Sequence, residues 1–164
     1  MENFISLSLI GFLHQLATIT WIGGMTTNLL IVMPVLGKTL DPQTAGKFMN
    51  QMMKRFKVLV YVSLIILFFT GFAISGISPD YDTYYDIGRE GTNYFLIKHL
   101  VILLVIILSV VAFEMVAPAV AKTAAQGPSP KLARLQKTQK ALALTGLILA
   151  LAVVMLSVML KISH

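Results

Sequence analysis

Apolar residues fill four stretches of the chain, residues 4–36, 58–77, 94–121 and 141–162, separated by short polar connections. Each reaches the roughly 20 apolar residues that a helix needs to cross a bilayer. Polar breaks mark the helix ends. Asp41-Pro42 predicts an N-cap and a first-turn proline, so the second helix starts well ahead of its apolar part. Gly76 and Pro79 close that helix, and Gly127-Pro128-Ser129-Pro130 predicts a turn from which Ser129 or Pro130 opens the fourth. The expected architecture is all-α: an integral membrane, up-and-down four-helix bundle. It forms one domain over residues 1–164, with helices at about 4–36, 43–77, 94–122 and 130–162. The first and third apolar runs exceed the spanning minimum and should tilt or project.

Polar residues inside these runs then become informative. Helical steps from His14 collect Thr18, Trp21, Met25 and Asn28 on one face of the first helix, with Leu, Ile and Phe elsewhere. In lipid such a stripe must face protein, and Gly23-Gly24 beside it permit close backbone approach. His14 lies in a run without any charged residue, and His99 follows Lys98 near the start of the third run. An ionisable side chain in hydrocarbon costs about 2.5–3.5 kcal/mol on insertion scales, so such residues usually face the bundle interior. Two buried imidazoles on different helices can clamp a haem iron or another metal. The alternative is a hydrogen-bonded interhelical histidine. Lys98 and His99 are adjacent, hence about 100° apart, and Glu114 lies about 22 Å further along the same helix. Glu114 reads as an interfacial partner for Lys122 or another basic residue.

Composition agrees with the pattern: 57% of the residues are hydrophobic, above the soluble average of about 45–50%. The chain has no cysteine, which excludes disulfides, thiolate metal sites, iron–sulfur clusters and cysteine nucleophiles. The start of the chain has neither the basic region nor the cleavage site of a signal peptide, so the first apolar run is expected to persist as a helix. The net charge of +6 is concentrated in two connections. The first holds Lys38, Lys47, Lys54, Arg55 and Lys57 against Asp41; the third holds Lys122, Lys131, Arg134, Lys137 and Lys140. The second carries Asp80, Asp82, Asp86 and Glu90 against Arg89. Lys and Arg collect on the cytoplasmic side, so a multi-pass cell-membrane protein with N- and C-termini outside is expected. Anionic lipid accounts for the basic loops without nucleic acid. Hydrolase, nucleotide and zinc motifs are all lacking.

The stretch Leu13-His14-Gln15 to Trp21-Ile22-Gly23-Gly24, followed by Val32-Met33-Pro34, resembles the first helix of the CopD-like (copper-resistance D) membrane superfamily. Arg55-Phe56 ahead of the second helix, Thr70-Gly71 late in it and Lys98 opening the third extend the likeness over most of the chain. That superfamily includes the small HemJ-like haem-binding four-helix proteins. In those, a first-helix His and a third-helix Lys, matched here by His14 and Lys98, are essential and haem b is bound. HemJ-like proteins carry an arginine shortly after the Trp-x-x-Gly segment, where this chain reads Met25-Thr26-Thr27-Asn28.

The leading expectation is a haem b-binding membrane redox or electron-transfer protein, with haem between the first and third helices. His14 and His99 are its expected axial ligands, Lys98 or Arg89 the propionate partners and Trp21 a wall. The alternatives are copper import or tolerance, with the histidines joined by Met25, Met155 and Met159 as soft ligands, and a non-catalytic membrane subunit. Candidate partners are the lipid bilayer, a redox partner or quinone, and a second copy in a homo-oligomer, but not nucleic acid.

Overall fold

The computed structural model describes residues 2–77 and 90–162. They form four long helices, each apolar enough to cross a membrane over 30 to 36 residues. The chain is therefore an all-α, multi-pass membrane protein.

The first helix, α1, runs as an α-helical piece Glu2–Thr27, a π-helical segment Asn28–Val32 and a last piece Met33–Thr39. Helix α2 spans Pro42–Ile77 without interruption. Helix α3 comprises Glu90–Val110, a second π segment Val111–Val116 and Ala117–Ala124. Helix α4 spans Pro130–Ile162. The third helix thus starts four residues earlier than the apolar run suggested.

Both π segments end two residues before a proline, Pro34 or Pro118. A proline inside an α-helix lacks the N–H for the carbonyl four residues back, and its ring crowds that carbonyl. Those carbonyls belong to Leu30 and Glu114, and both lie within the widened turns. The π segments therefore absorb the prolines without breaking either helix.

Helix ends follow the polar breaks. Asp41 Oδ1 accepts hydrogen bonds from the Gln43 and Thr44 N–H groups, both at 3.0 Å, and so caps α2. The Thr44 hydroxyl and N–H, helped by the Gln43 N–H, hold the Asp41 carboxyl below the usual carboxylate range. Ser129 Oγ accepts from the Leu132 N–H at 3.2 Å and caps α4. Gly127, with φ of 97°, makes the left-handed turn between α3 and α4. The acidic connection, with Arg89 and Pro79, lies outside the described residues.

Cross-helix contacts fix the arrangement. His14 meets Thr70, Gly24 meets Phe56 and Asn28 meets Met53, so α1 and α2 run antiparallel. Lys57 meets Glu114, and Gly46 lies against Ala124, so α2 and α3 do the same. Helices α1 and α2 pack along their lengths, as do α3 and α4, and α4 returns to α1. The core takes a residue from each helix or more: Trp21, Val60, Val105, Phe113 and Ala150. Phe56 and Tyr61 each meet Phe113 edge-on at 6.0 Å. Large apolar side chains cover the outside instead, among them Phe12, Phe68, Phe72, Leu100 and Ile148. An outward apolar shell around a thin core is what a bilayer solvates and water does not.

Several hydroxyls within the spans are satisfied by their own helices. Thr18 donates to the His14 carbonyl at 2.8 Å, Thr26 to Ile22 at 2.8 Å and Ser109 to Val105 at 2.8 Å. Thr18 thereby has its proton occupied within α1.

Candidate functional site

The polar stripe of α1 does face protein: Trp21 and Asn28 are buried, and His14, Thr18 and Met25 are half-buried. Of the glycine pair, only Gly24 makes a close approach. A Cβ there would stand 2.7 Å from Phe56 Cε2, whereas one at Gly23 meets nothing.

His14 is the best-defined polar centre in the half of the bundle that holds the start of α1. Its Nδ1 lies 2.8 Å from the Thr70 hydroxyl of α2. That hydroxyl has a single proton, and it donates it to the Ile66 carbonyl at 2.6 Å. With the Thr70 proton on Ile66, the Thr70 oxygen accepts from His14 and the neutral imidazole carries its proton on Nδ1. The Nε2 lone pair is left available, and no described residue occupies it. Gly71 gives the ring room, since a Cβ at that position would already touch His14 Cε1 at 3.6 Å. Lys98 is half-buried on α3.

His99 is arranged differently. It is exposed, its Nδ1 bonds to the Phe95 carbonyl one turn back at 2.7 Å, and its ring lies 4.2 Å from the Phe95 ring. Neighbours on a helix stand about 100° apart, and of these two Lys98 is half-buried while His99 is exposed. The structure therefore does not bring His14 and His99 together as a facing pair. Trp21 lies seven residues along α1 from His14, about 10 Å deeper, and packs in the central core.

Nor is the methionine set assembled. Met25 packs half-buried against Gly146, where its Cε would be 3.1 Å from an added Cβ. Met155 and Met159 are exposed on α4. They stand five and nine residues past the buried Ala150, about 140° and 180° around the helix from it. No cluster of three or more His, Cys, Asp or Glu side chains suited to a metal occurs among the described residues.

Toward the opposite end, Glu114 bonds to Lys57 at 2.7 Å and accepts from the Tyr61 hydroxyl at 2.8 Å. Its basic partner is thus Lys57 of α2. Sequence reasoning did not place Thr70 beside His14; a Thr-Gly pair within an unbroken apolar run was the available signal.

These features define a multi-pass four-helix membrane protein with a histidine hydrogen-bonded between α1 and α2. Residues 16–129 match the family described as Domain of unknown function (DUF4149), and the chain belongs to that family. The match begins just after His14 and includes Thr70 and Lys98. No curated protein and no solved structure matches the chain.

Proposed function

We propose that this protein is a haem b-binding membrane redox protein in which His14 alone of the two intramembrane histidines ligates the iron. The observation that carries this reading is the Thr70-anchored ring. Histidines that bind metal nearly always donate their other ring N–H to a fixed acceptor, which sets the tautomer and the ring orientation. His14 has that arrangement, with Nε2 as the available donor atom. Single-imidazole ligation fits the residues present; a His14–His99 sandwich does not, because His99 is exposed and bonded to its own helix. Lys98 is the cationic group positioned to pair with a propionate. When bound, haem supplies one-electron chemistry whose potential is tuned by the axial ligand and by burial. The protein's own contribution is to orient His14 through Thr70, to hold positive charge at Lys98 and to exclude water with the outer apolar walls. Electrons are exchanged with a redox partner or a quinone. The resemblance to the HemJ-like proteins at His14 and Lys98 supports the same reading.

The charge pattern supports an orientation with both termini outside and the basic connections in the cytoplasm. A reporter fused after His164 should then read as external.

The functional test is spectroscopic. Protein purified from haem-replete cells should carry a Soret band. His14→Ala should abolish or weaken it, and His99→Ala should leave it unchanged. Stoichiometric copper without a Soret band favours the copper alternative, and neither chromophore nor metal favours a non-catalytic subunit.

A further inference from the structure

The end of the bundle away from His14 encloses a second site. A cavity of about 370 Å³ lies where the end of α1 (Gly37), the start of α2 (Met49), the end of α3 (Ala121) and the early turns of α4 converge. Its volume is at the lower end of the range of about 300–1,000 Å³ typical of ligand pockets. The walls are chiefly Met, Leu, Val, Ala and Gly, and no acidic residue lines it. Two adjacent residues of α4 give it a polar end. Gln139 is 7% exposed, lines the cavity and has no hydrogen-bond partner among the described residues. Its amide is therefore free to hydrogen-bond a group held in the cavity. Beside it stands Lys140, which also lines the cavity. The surrounding connections carry the bulk of the positive charge.

We propose that this cavity binds an anionic amphiphile, with an aliphatic chain among the apolar walls and its carboxylate or phosphate head on Gln139 and Lys140. The amide N–H groups of Gln139 donate to the head, and Lys140 supplies a charge-assisted bond. A cationic head would meet Lys140 with no carboxylate to offset it. Gly37 keeps the chain site open: a Cβ there meets nothing within 4 Å, so the space beside it is unfilled. This proposal is independent of the His14 reading.

The test uses full-length protein in nonionic detergent and the immobilised electron-spin-resonance signal of 16-doxyl-stearate. The probe should bind saturably, oleate should displace it, and oleylamine should not. Gly37→Leu fills the cavity and should weaken probe binding at least tenfold while melting no lower than the parent, because leucine is the better helix former. Gln139→Leu and Lys140→Gln should each weaken it about three- to tenfold. Phosphatidylglycerol and phosphatidylcholine added in nanodiscs identify the source. Displacement by the former marks a membrane lipid, and displacement by oleate alone marks a free acid. Equal displacement by oleate and oleylamine, displacement by phosphatidylcholine as strong as by phosphatidylglycerol, or full binding by a folded Gly37→Leu variant would overturn the proposal.

Discussion

Replacing Thr70 by valine removes one oxygen and almost no volume, and it tests the argument at its narrowest point. In the parent, Thr70 Oγ1 lies 2.8 Å from His14 Nδ1 and 2.6 Å from the Ile66 carbonyl, and with its proton on Ile66 it accepts from the ring. Valine leaves the Ile66 carbonyl in its helix and takes away only the acceptor facing histidine. A buried donor stripped of its partner costs about 1–3 kcal/mol; His14 is half-buried, so the lower part of that range applies. The imidazole then loses its preference for the Nδ1–H tautomer and its fixed orientation. Loss of such outer partners typically weakens metal binding about 10–100-fold. Two measurements read this out. Nitrogen-15 NMR of ring-labelled protein without haem should show one dominant tautomer in the parent and a mixture in Thr70→Val. Haem titration followed at the Soret band should show the loss of affinity, and Thr70→Ser, which restores an oxygen, should recover most of it. If Thr70→Val keeps both the single tautomer and the parent's haem affinity, the hydroxyl does not orient His14 and the reasoning fails.

Three further outcomes follow from the packing and the caps. Gly24→Ala should lower the melting temperature in detergent, with overpacking against Phe56 costing about 1–3 kcal/mol; Gly23→Ala, facing open space, should be neutral or stabilising, and equal behaviour of the two would discredit the assigned seam. Lys57→Met and Glu114→Gln should each lower the melting temperature, and the double variant should lose less than their sum, as a thermodynamic cycle of melts will show. Asp41→Ala should destabilise α2 at neutral pH. Because its carboxyl titrates low in the folded state, that contribution is complete above the ordinary carboxylate range and is lost as pH falls through the folded value. The difference between variant and parent should therefore shrink in acid melts.

Much of the fold was legible because the physics that sets it is local. The apolar runs, Asp41-Pro42 and Ser129-Pro130 need only their own neighbours to signal a span or a start, and each appears where expected. The inward stripe of α1 was legible for the same reason, since Trp21 and Asn28 share a face by periodicity alone. The site was less so. Periodicity says that His14 faces protein but not which side chain it meets, because Thr70 is brought to it by interhelical packing 56 positions away. His99 had the same apolar context as His14, yet the geometry of neighbouring residues turns one of Lys98 and His99 outward, and sequence alone did not say which. Met155 and Met159 matched each other in spacing but not the inward face of α4, which is set by Gly146, Leu147 and Ala150.

The two π segments act as spacers in the reading frame of the helices. A π turn holds about one residue more than an α turn, so everything beyond it is rotated relative to an uninterrupted helix. In α1 the segment Asn28–Val32 separates the half that carries His14 and Trp21 from the half that carries Leu36 and Gly37. Tightening that turn to regular α geometry with every residue kept would swing the lower half by about 100°, whereas deleting one residue at the same time would leave its phase unchanged. The upper histidine and the lower cavity wall therefore share one helix but not one phase, and the inserted residue is what lets both face inward.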